Sequence, residues 1–290
     1  MDTDSRTRAA SLACWSGPVE AQPIAEGLTN ANFRVEDRGK AYFVRIGEDI
    51  PVHGILRFHE QSVSRAAHAC GLSPEVVHAE PGALVLRYID GRTLQPEDIC
   101  RQSTLEKIIP LLARCHRQLP LYLRGPTLAF WVFHVIRDYA HSLRDSQSRW
   151  TSELPRLLGA AERLEQAIQP TPFVFGHNDL LAANFIDDGT RLWLIDWDYA
   201  GWGSPLFDLG GLASNSGLDA AQELWLLEAY FEKPADDALR RSYTAMKCAS
   251  LLREAMWSMV SELNPATDFD YGAYAVDYLA RFDHAHAEFV

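Results

Sequence analysis

Apolar and polar positions alternate with a period of two early in the chain, and with a helical period over most of the rest. From residue 24 to about 46, EGLTNANF leads into RVEDRGKAYFVRI, two strand-like runs joined by the turn formers Asp37-Arg-Gly-Lys40, which predicts a β-hairpin. HEQSVSRAAHAC then carries small and apolar residues at helical spacing and stops at Gly71. ALVLRYI, Ala83 to Ile89, reads as another strand closed by Asp90-Gly91. Beyond that turn helices dominate. Ser103 and Glu106 have capping-box spacing, and Leu105, Ile108, Leu112, Cys115 and Leu119 fall on one face of a helix that Pro110 should bend or start later. Further helical signals cover roughly 153–168, 219–232, 236–263 and 270–288. They enclose one β-rich island, FVFGHNDLLAANFIDDGTRLWLIDWDY, turned back on itself at Asp188-Gly189. The fold class expected is α+β and two-lobed: a small β-rich N-terminal lobe over 1–91, ending in a hinge strand, and a larger, mainly helical lobe over 92–290.

Composition narrows the function without choosing it. Hydrophobic residues are 47% and charged residues 23% of 290, as in ordinary globular proteins. A net charge of -12 disfavours nucleic acid or an anionic membrane surface as partner, whereas a cationic ligand is compatible with it; solubility alone also accounts for such a charge. The five cysteines are scattered without a CxxC pair, so neither a zinc site nor a disulfide framework is expected. MDTDSRTRAASLACW lacks the apolar core of a leader and no stretch reaches membrane-spanning length, so a cytoplasmic protein without integral membrane contact is expected.

The island holds the candidate chemistry. FVF and LWLI are good buried strands, so the polar residues after each sit at strand ends, firmly held yet open to a cleft. Asp179, Asn184 and Asp196 thereby converge without being adjacent in sequence. Phosphoryl transfer requires such a set: a carboxylate to orient the attacking hydroxyl and accept its proton, and oxygen ligands for a phosphate-bound Mg²⁺. Here Asp179 is the candidate base, with Asn184 and Asp196 the candidate metal ligands. The competing reading is that all three only cap or start turns.

HNDLLAAN, His177 to Asn184, and LIDWDYAG, Leu194 to Gly201, resemble the catalytic and metal-binding loops of the choline/ethanolamine kinase family, relatives of the aminoglycoside phosphotransferases with a protein-kinase-like fold. The resemblance continues through SPLFDLGGL, where Asp208 matches a structural acidic position, and covers most of the chain. It implies ATP and Mg²⁺ as cofactors, Asp179 as base, and Asn184 and Asp196 as metal ligands. His177 is structural in that comparison. EGLTNANF resembles the hairpin that covers the ATP phosphates, which implicates Gly27, Thr29, Asn30 and Asn32; otherwise these form a polar turn. Arg45 stands where protein kinases carry a strand lysine and where choline kinases have arginine, with Glu60 as its helical acidic partner. A solvated surface pair is the alternative. The hinge backbone near Arg87 to Ile89, including Tyr88, is placed to meet adenine.

At the acceptor end, REAMWSM and FDYGAY resemble the family's tryptophan helix and C-terminal aromatic motif. Trp257, Tyr271 and Tyr274, joined by Asp198 and Tyr199, become candidates for an aromatic cage around a quaternary ammonium. Aromatics at helical spacing equally form core. Glu254 departs from the family, standing where choline kinases tend to carry a second tryptophan; a carboxylate there suits a primary ammonium or adds charge to a choline cage. The function expected is phosphorylation of a small cationic alcohol, choline first and ethanolamine second. An aminoglycoside or other amino-alcohol phosphotransferase, a non-catalytic nucleotide-binding module and a metal-dependent hydrolase are the rivals. The oligomeric state is open, a homodimer included.

Overall fold

The computed structural model describes residues 3–24, 30–265 and 267–290. Gly27 and Thr29, two of the residues expected over the nucleotide phosphates, lie outside the described residues.

In chain order the elements are α1 (Thr3–Ala10), β1 (Ala21–Pro23), β2 (Ala31–Asp37), β3 (Lys40–Ile46), α2 (Arg57–Ala69), β4 (Val76–Glu80), β5 (Ala83–Arg87), β6 (Arg92–Thr93), α3 (Pro96–Ile99), α4 (Gln102–Arg117), α5 (Val132–Asp145), α6 (Leu154–Gln166), β7 (Val174–Gly176), β8 (Phe185–Asp187), β9 (Leu192–Leu194), β10 (Gly201–Gly203), α7 (Pro205–Ser216), α8 (Ala220–Phe231), α9 (Asp237–Ser261) and α10 (Tyr271–Phe289). The first five strands make one antiparallel sheet in the order β1-β2-β3-β5-β4. Arg38 and Gly39 turn β2 into β3 with φ of 49° and 72°, the two positive values that a tight hairpin turn needs.

Alternation along these strands decides what the sheet offers to each side. Phe33, Val35, Val44, Ile46 and Val85 point to one face and close a small core with Ala9 and Leu12 of the N-terminal segment. Phe43, Arg45, Leu84 and Leu86 therefore point to the other face, into a cleft. A second, larger core collects the helices, and α2 contributes Val63, Ala66 and Ala67 to it rather than to the small one. The face expected for α4 is buried as patterned: Leu105, Ile108, Leu112 and Cys115 are all inaccessible.

Two local expectations need correction. Ser103 does not cap α4: the helix already begins at Gln102, and Arg101 precedes it without a side-chain cap. The capping box lies on α3 instead, between Gln95 and Asp98, because Pro96 at its first position and Asp98 at its third complete that motif ahead of α4. Pro110 sits inside α4, which continues through it. The Asp188-Gly189 turn forms, with Asp188 accepting from the amides of Thr190 and Arg191 and Gly189 at φ 85°.

Candidate active site

The cleft beside the sheet is a cavity of about 210 Å³ whose walls include Phe43, Leu84, Leu86, Tyr88, Ile89 and Trp197, with Arg45, Glu60 and Asp196 at one end. Of the hinge, only the part to Arg87 is strand. The amides of Arg87 and Tyr88 already donate to the carbonyls of Glu75 and Ala41. The donors expected to meet adenine at these two residues are thus engaged, and Ile89 is the first residue beyond them.

Arg45 and Glu60 are not a solvated surface pair. Arg45 is 7% and Glu60 2% exposed, and Arg45 Nη1 donates to Glu60 Oε1 at 2.6 Å. The same guanidinium grips Asp196 with both arms, Nη1 to Oδ1 at 2.9 Å and Nη2 to Oδ2 at 2.8 Å. Asn32 lies opposite Arg45 in the β2–β3 register, its buried carboxamide oxygen without a partner among the described residues. A second arginine, Arg57, donates to Glu60 at 2.6 Å, to Asp198 at 2.8 Å and to the side-chain oxygen of Asn30 at 2.8 Å. Asp198, expected at the acceptor end, is drawn here instead by Arg57 and Arg45, while Tyr199 beside it turns the other way. Burial, then the neighbouring Asp196, pushes the Asp198 carboxyl up to about 7. Burial also raises Asp196, but the charge of Arg45 and its hydrogen bonds outweigh it and hold that carboxyl below its ordinary range.

Asp179 and Asn184 come from the loop between β7 and β8. Asn184 Nδ2 donates to the Asp179 carbonyl at 2.8 Å, and Asn184's own carbonyl accepts from the Ile195 amide at 3.0 Å, which ties this loop to the segment carrying Asp196. His177 Nε2 bonds the Ile195 carbonyl at 2.9 Å and reinforces the tie. From the start of α7, Asp208 accepts the amides of His177 and Asn178 at 2.8 and 2.7 Å and pairs with His116 Nε2 at 2.8 Å. Gly176 is required here, since a Cβ would meet Asn178 Oδ1 at 2.8 Å and Asp208 Oδ2 at 3.0 Å. Burial raises Asp179 to about 8; Arg253, whose Nη1 lies 3.8 Å away, opposes the rise, and Glu254, Asp196 and Asp198 add to it.

On the far side of Asp179 the aromatic residues meet. Trp257 Nε1 donates to the Tyr199 hydroxyl at 2.9 Å, and the rings of Tyr271 and Tyr274 lie 6.0 and 6.4 Å from that of Trp257. Glu254 joins them by accepting from the Tyr274 hydroxyl at 3.0 Å and from Arg253 at 2.7 Å. A cavity of about 410 Å³ opens against Trp257 and Tyr271, with Val52, His53, Ser142 and Asp145 among its other walls. Arg57, Arg253, His53 and Asp145 escape a reading of the sequence. The i,i+3 spacing of Arg57 to Glu60 and the adjacency of Arg253 to Glu254 are the only signals pointing to any of them.

The donor set around Asp196 is all oxygen. Glu60, Asp196 and Asp198 offer carboxylate oxygens within 4.8 Å of one another, and Asn184 adds a side-chain amide in the adjoining loop. Such a set fits a hard divalent cation such as Mg²⁺ and not a thiophilic one. Among the described residues no helix is long and apolar enough to cross a membrane.

Residues 20–256 match the Phosphotransferase enzyme family. A choline/ethanolamine kinase family protein from Mesorhizobium loti has a crystal structure that superposes with a TM-score of 0.76 at 30% identity, covering 97% of this chain and 93% of that one. Choline kinase LicA from Streptococcus pneumoniae superposes with a TM-score of 0.79 at 24% identity, covering 93% of this chain and 94% of that one. Ethanolamine kinase 2 from Mus musculus is 25% identical over 292 residues, 89% of this chain and 74% of that one.

Proposed function

The chain belongs to the phosphotransferase enzyme family, and within it to the choline/ethanolamine kinase family of the Mesorhizobium loti protein, and on that premise we propose that it moves the γ-phosphoryl group of ATP to the hydroxyl of choline or ethanolamine. The observation that carries this reading is the two-armed pairing of Arg45 with Asp196, backed by Glu60, at the end of the sheet-walled cleft. A planar base suits the apolar walls, and Arg45, whose Nη atoms hold Glu60 and Asp196 while its Nε has no partner among the described residues, brings positive charge to the phosphate end. Asn184 and Asp196 would hold Mg²⁺, which would supply positive charge against the phosphates.

The chain's own residues do the rest. Arg57 bridges Asn30, Asp198 and Glu60 and so holds the start of β2 against the loop carrying Asp196. Asp179 accepts the proton of the acceptor hydroxyl. Its ordinary state without ligands is biased toward protonation by burial, and a cationic acceptor beside it favours the carboxylate that a base needs. Trp257 and Tyr271, which wall a cavity shared with Asp145, offer aromatic faces to the ammonium of the acceptor.

ADP release measured with choline, ethanolamine, thiamine and kanamycin as separate acceptors tests the reading. Turnover with choline or ethanolamine is the expected result, and turnover with kanamycin alone overturns it.

A further inference from the structure

Arg253 on α9 is 3% exposed, and only one corner of its guanidinium is used. Nη1 donates to Glu254 at 2.7 Å and lies 3.8 Å from Asp179 Oδ1. Among the described residues neither Nε nor Nη2 has a hydrogen-bond partner. Arginine stays charged at any pH the folded chain meets, and a buried donor left unpaired is costly. The unused Nε–Nη2 edge is the fork that matches two oxygens of a phosphate or a carboxylate. It repels the ammonium of an amino alcohol, so that end of the acceptor does not explain it.

We infer that this edge of Arg253 is an oxyanion subsite beside Asp179, and that its occupant is the phosphoryl group as it reaches the acceptor and remains there as the product monoester. The inference rests on the phosphotransferase reading above. In that step the bond from the γ-phosphorus to the β–γ bridging oxygen breaks and its electron pair leaves with ADP. A bond forms to the acceptor oxygen, whose proton passes to the Asp179 carboxylate. The non-bridging oxygens carry their charge to Nε and Nη2. The rings of Tyr199 and Phe130, 4.3 and 5.9 Å from the guanidinium carbon, border the group. The same fork also fits a carboxylate carried by the acceptor itself, and the two sources separate by experiment.

Arg253→Gln and Arg253→Lys are made in the full chain, with ATP binding and thermal midpoint as folding checks. Calorimetric titration with phosphocholine and O-phosphoethanolamine reads the subsite directly. Arg253→Gln is expected to weaken monoester binding by about tenfold or more, and to lower kcat by about a hundredfold while the acceptor KM stays within about threefold. Arg253→Lys recovers part of both. If wild type phosphorylates L-serine or L-homoserine and Arg253→Gln loses only those acceptors, the occupant is a carboxylate and the phosphoryl assignment is wrong. Equal monoester affinity and equal kcat in wild type and Arg253→Gln overturn the subsite altogether. Failure of wild type to turn over any acceptor defeats the proposed function, yet the monoester titration still decides on Arg253. Should both variants unfold, wild-type crystals soaked with phosphocholine decide: monoester oxygens on Nε and Nη2 support the subsite, and a monoester bound elsewhere overturns it.

Discussion

Glu60 sits between two guanidiniums, 2.6 Å from each, with almost no exposure. Removing its charge leaves Arg45 and Arg57 to face each other over the remaining carboxylates, so Glu60→Gln is expected to lower unfolding free energy by about 3–5 kcal/mol in denaturant titrations. His53 makes a second residue-level prediction. It is wedged between Tyr139 and Ser261 with its ring 5.4 Å from Trp257, and burial, then Arg253, holds its imidazole down to about 3. The unfolded chain takes up a proton near pH 6.5 that the folded chain refuses, so stability falls as pH drops below about 6.5 and continues to fall toward 3. This one group removes about 2 kcal/mol between pH 6.5 and 5. His53→Gln should flatten that slope in part, because burial also depresses His59 and His177. An unchanged slope would show that His53 is not the group responsible. Arg45 and Glu60 were legible as a family-matched pair, and strand alternation turns Arg45 away from the small core, whereas the burial of Glu60 follows from the packing of α2. Arg57 and Arg253 were not, because a single basic residue has no period to reveal which side of a helix the fold will bury.

At the scale of elements, α4, α7 and α8 jointly hold the loop that leads from β7 to Asp179 through one chain of bonds. Tyr230 on α8 meets His116 Nδ1 at 2.6 Å, His116 Nε2 meets Asp208, and Asp208 holds two loop amides. Asp208→Asn keeps the shape but offers one oxygen where two amides and an imidazole need partners. It is expected to cut kcat by about ten- to a hundredfold with the nucleotide KM little changed, since the loss is in loop position. Leu112 on α4, wholly buried, should cost about 2–5 kcal/mol when changed to Ala, read by thermal denaturation. Element prediction succeeded where period was strong, as in α4 and the β2–β3 hairpin. It missed the place of the cap near Ser103 because the competing box at Gln95 and Asp98 closes first. The helix Val132–Asp145 carried no clear stop or start in sequence, and α1 and β1 are short pieces whose placement depends on the sheet they cover.

Over the whole molecule, the sheet and the helices bury separate apolar clusters, and Arg45, which the sheet turns away from its own core, faces Asp196 beyond the end of β9. The cleft beside the sheet sets the Arg45 guanidinium beside the Glu60 and Asp196 carboxylates. The fold class followed from the order of patterns along the chain; the acceptor end did not, because whether Trp257, Tyr271 and Tyr274 pack as core or as cage depends on the helices they join. In the structure Trp257 and Tyr271 are 6% and 4% exposed and belong to the larger core, and both also border a cavity. The central claim is that Asp179 accepts a proton from a bound amino alcohol while ATP is in place. Acceptor-dependent ADP release by wild type and Asp179→Asn, with ATP affinity measured in parallel, tests it most directly. The predicted result is a fall in kcat of about a thousandfold at unchanged ATP affinity; ADP release that needs no acceptor, or that survives the substitution, contradicts it.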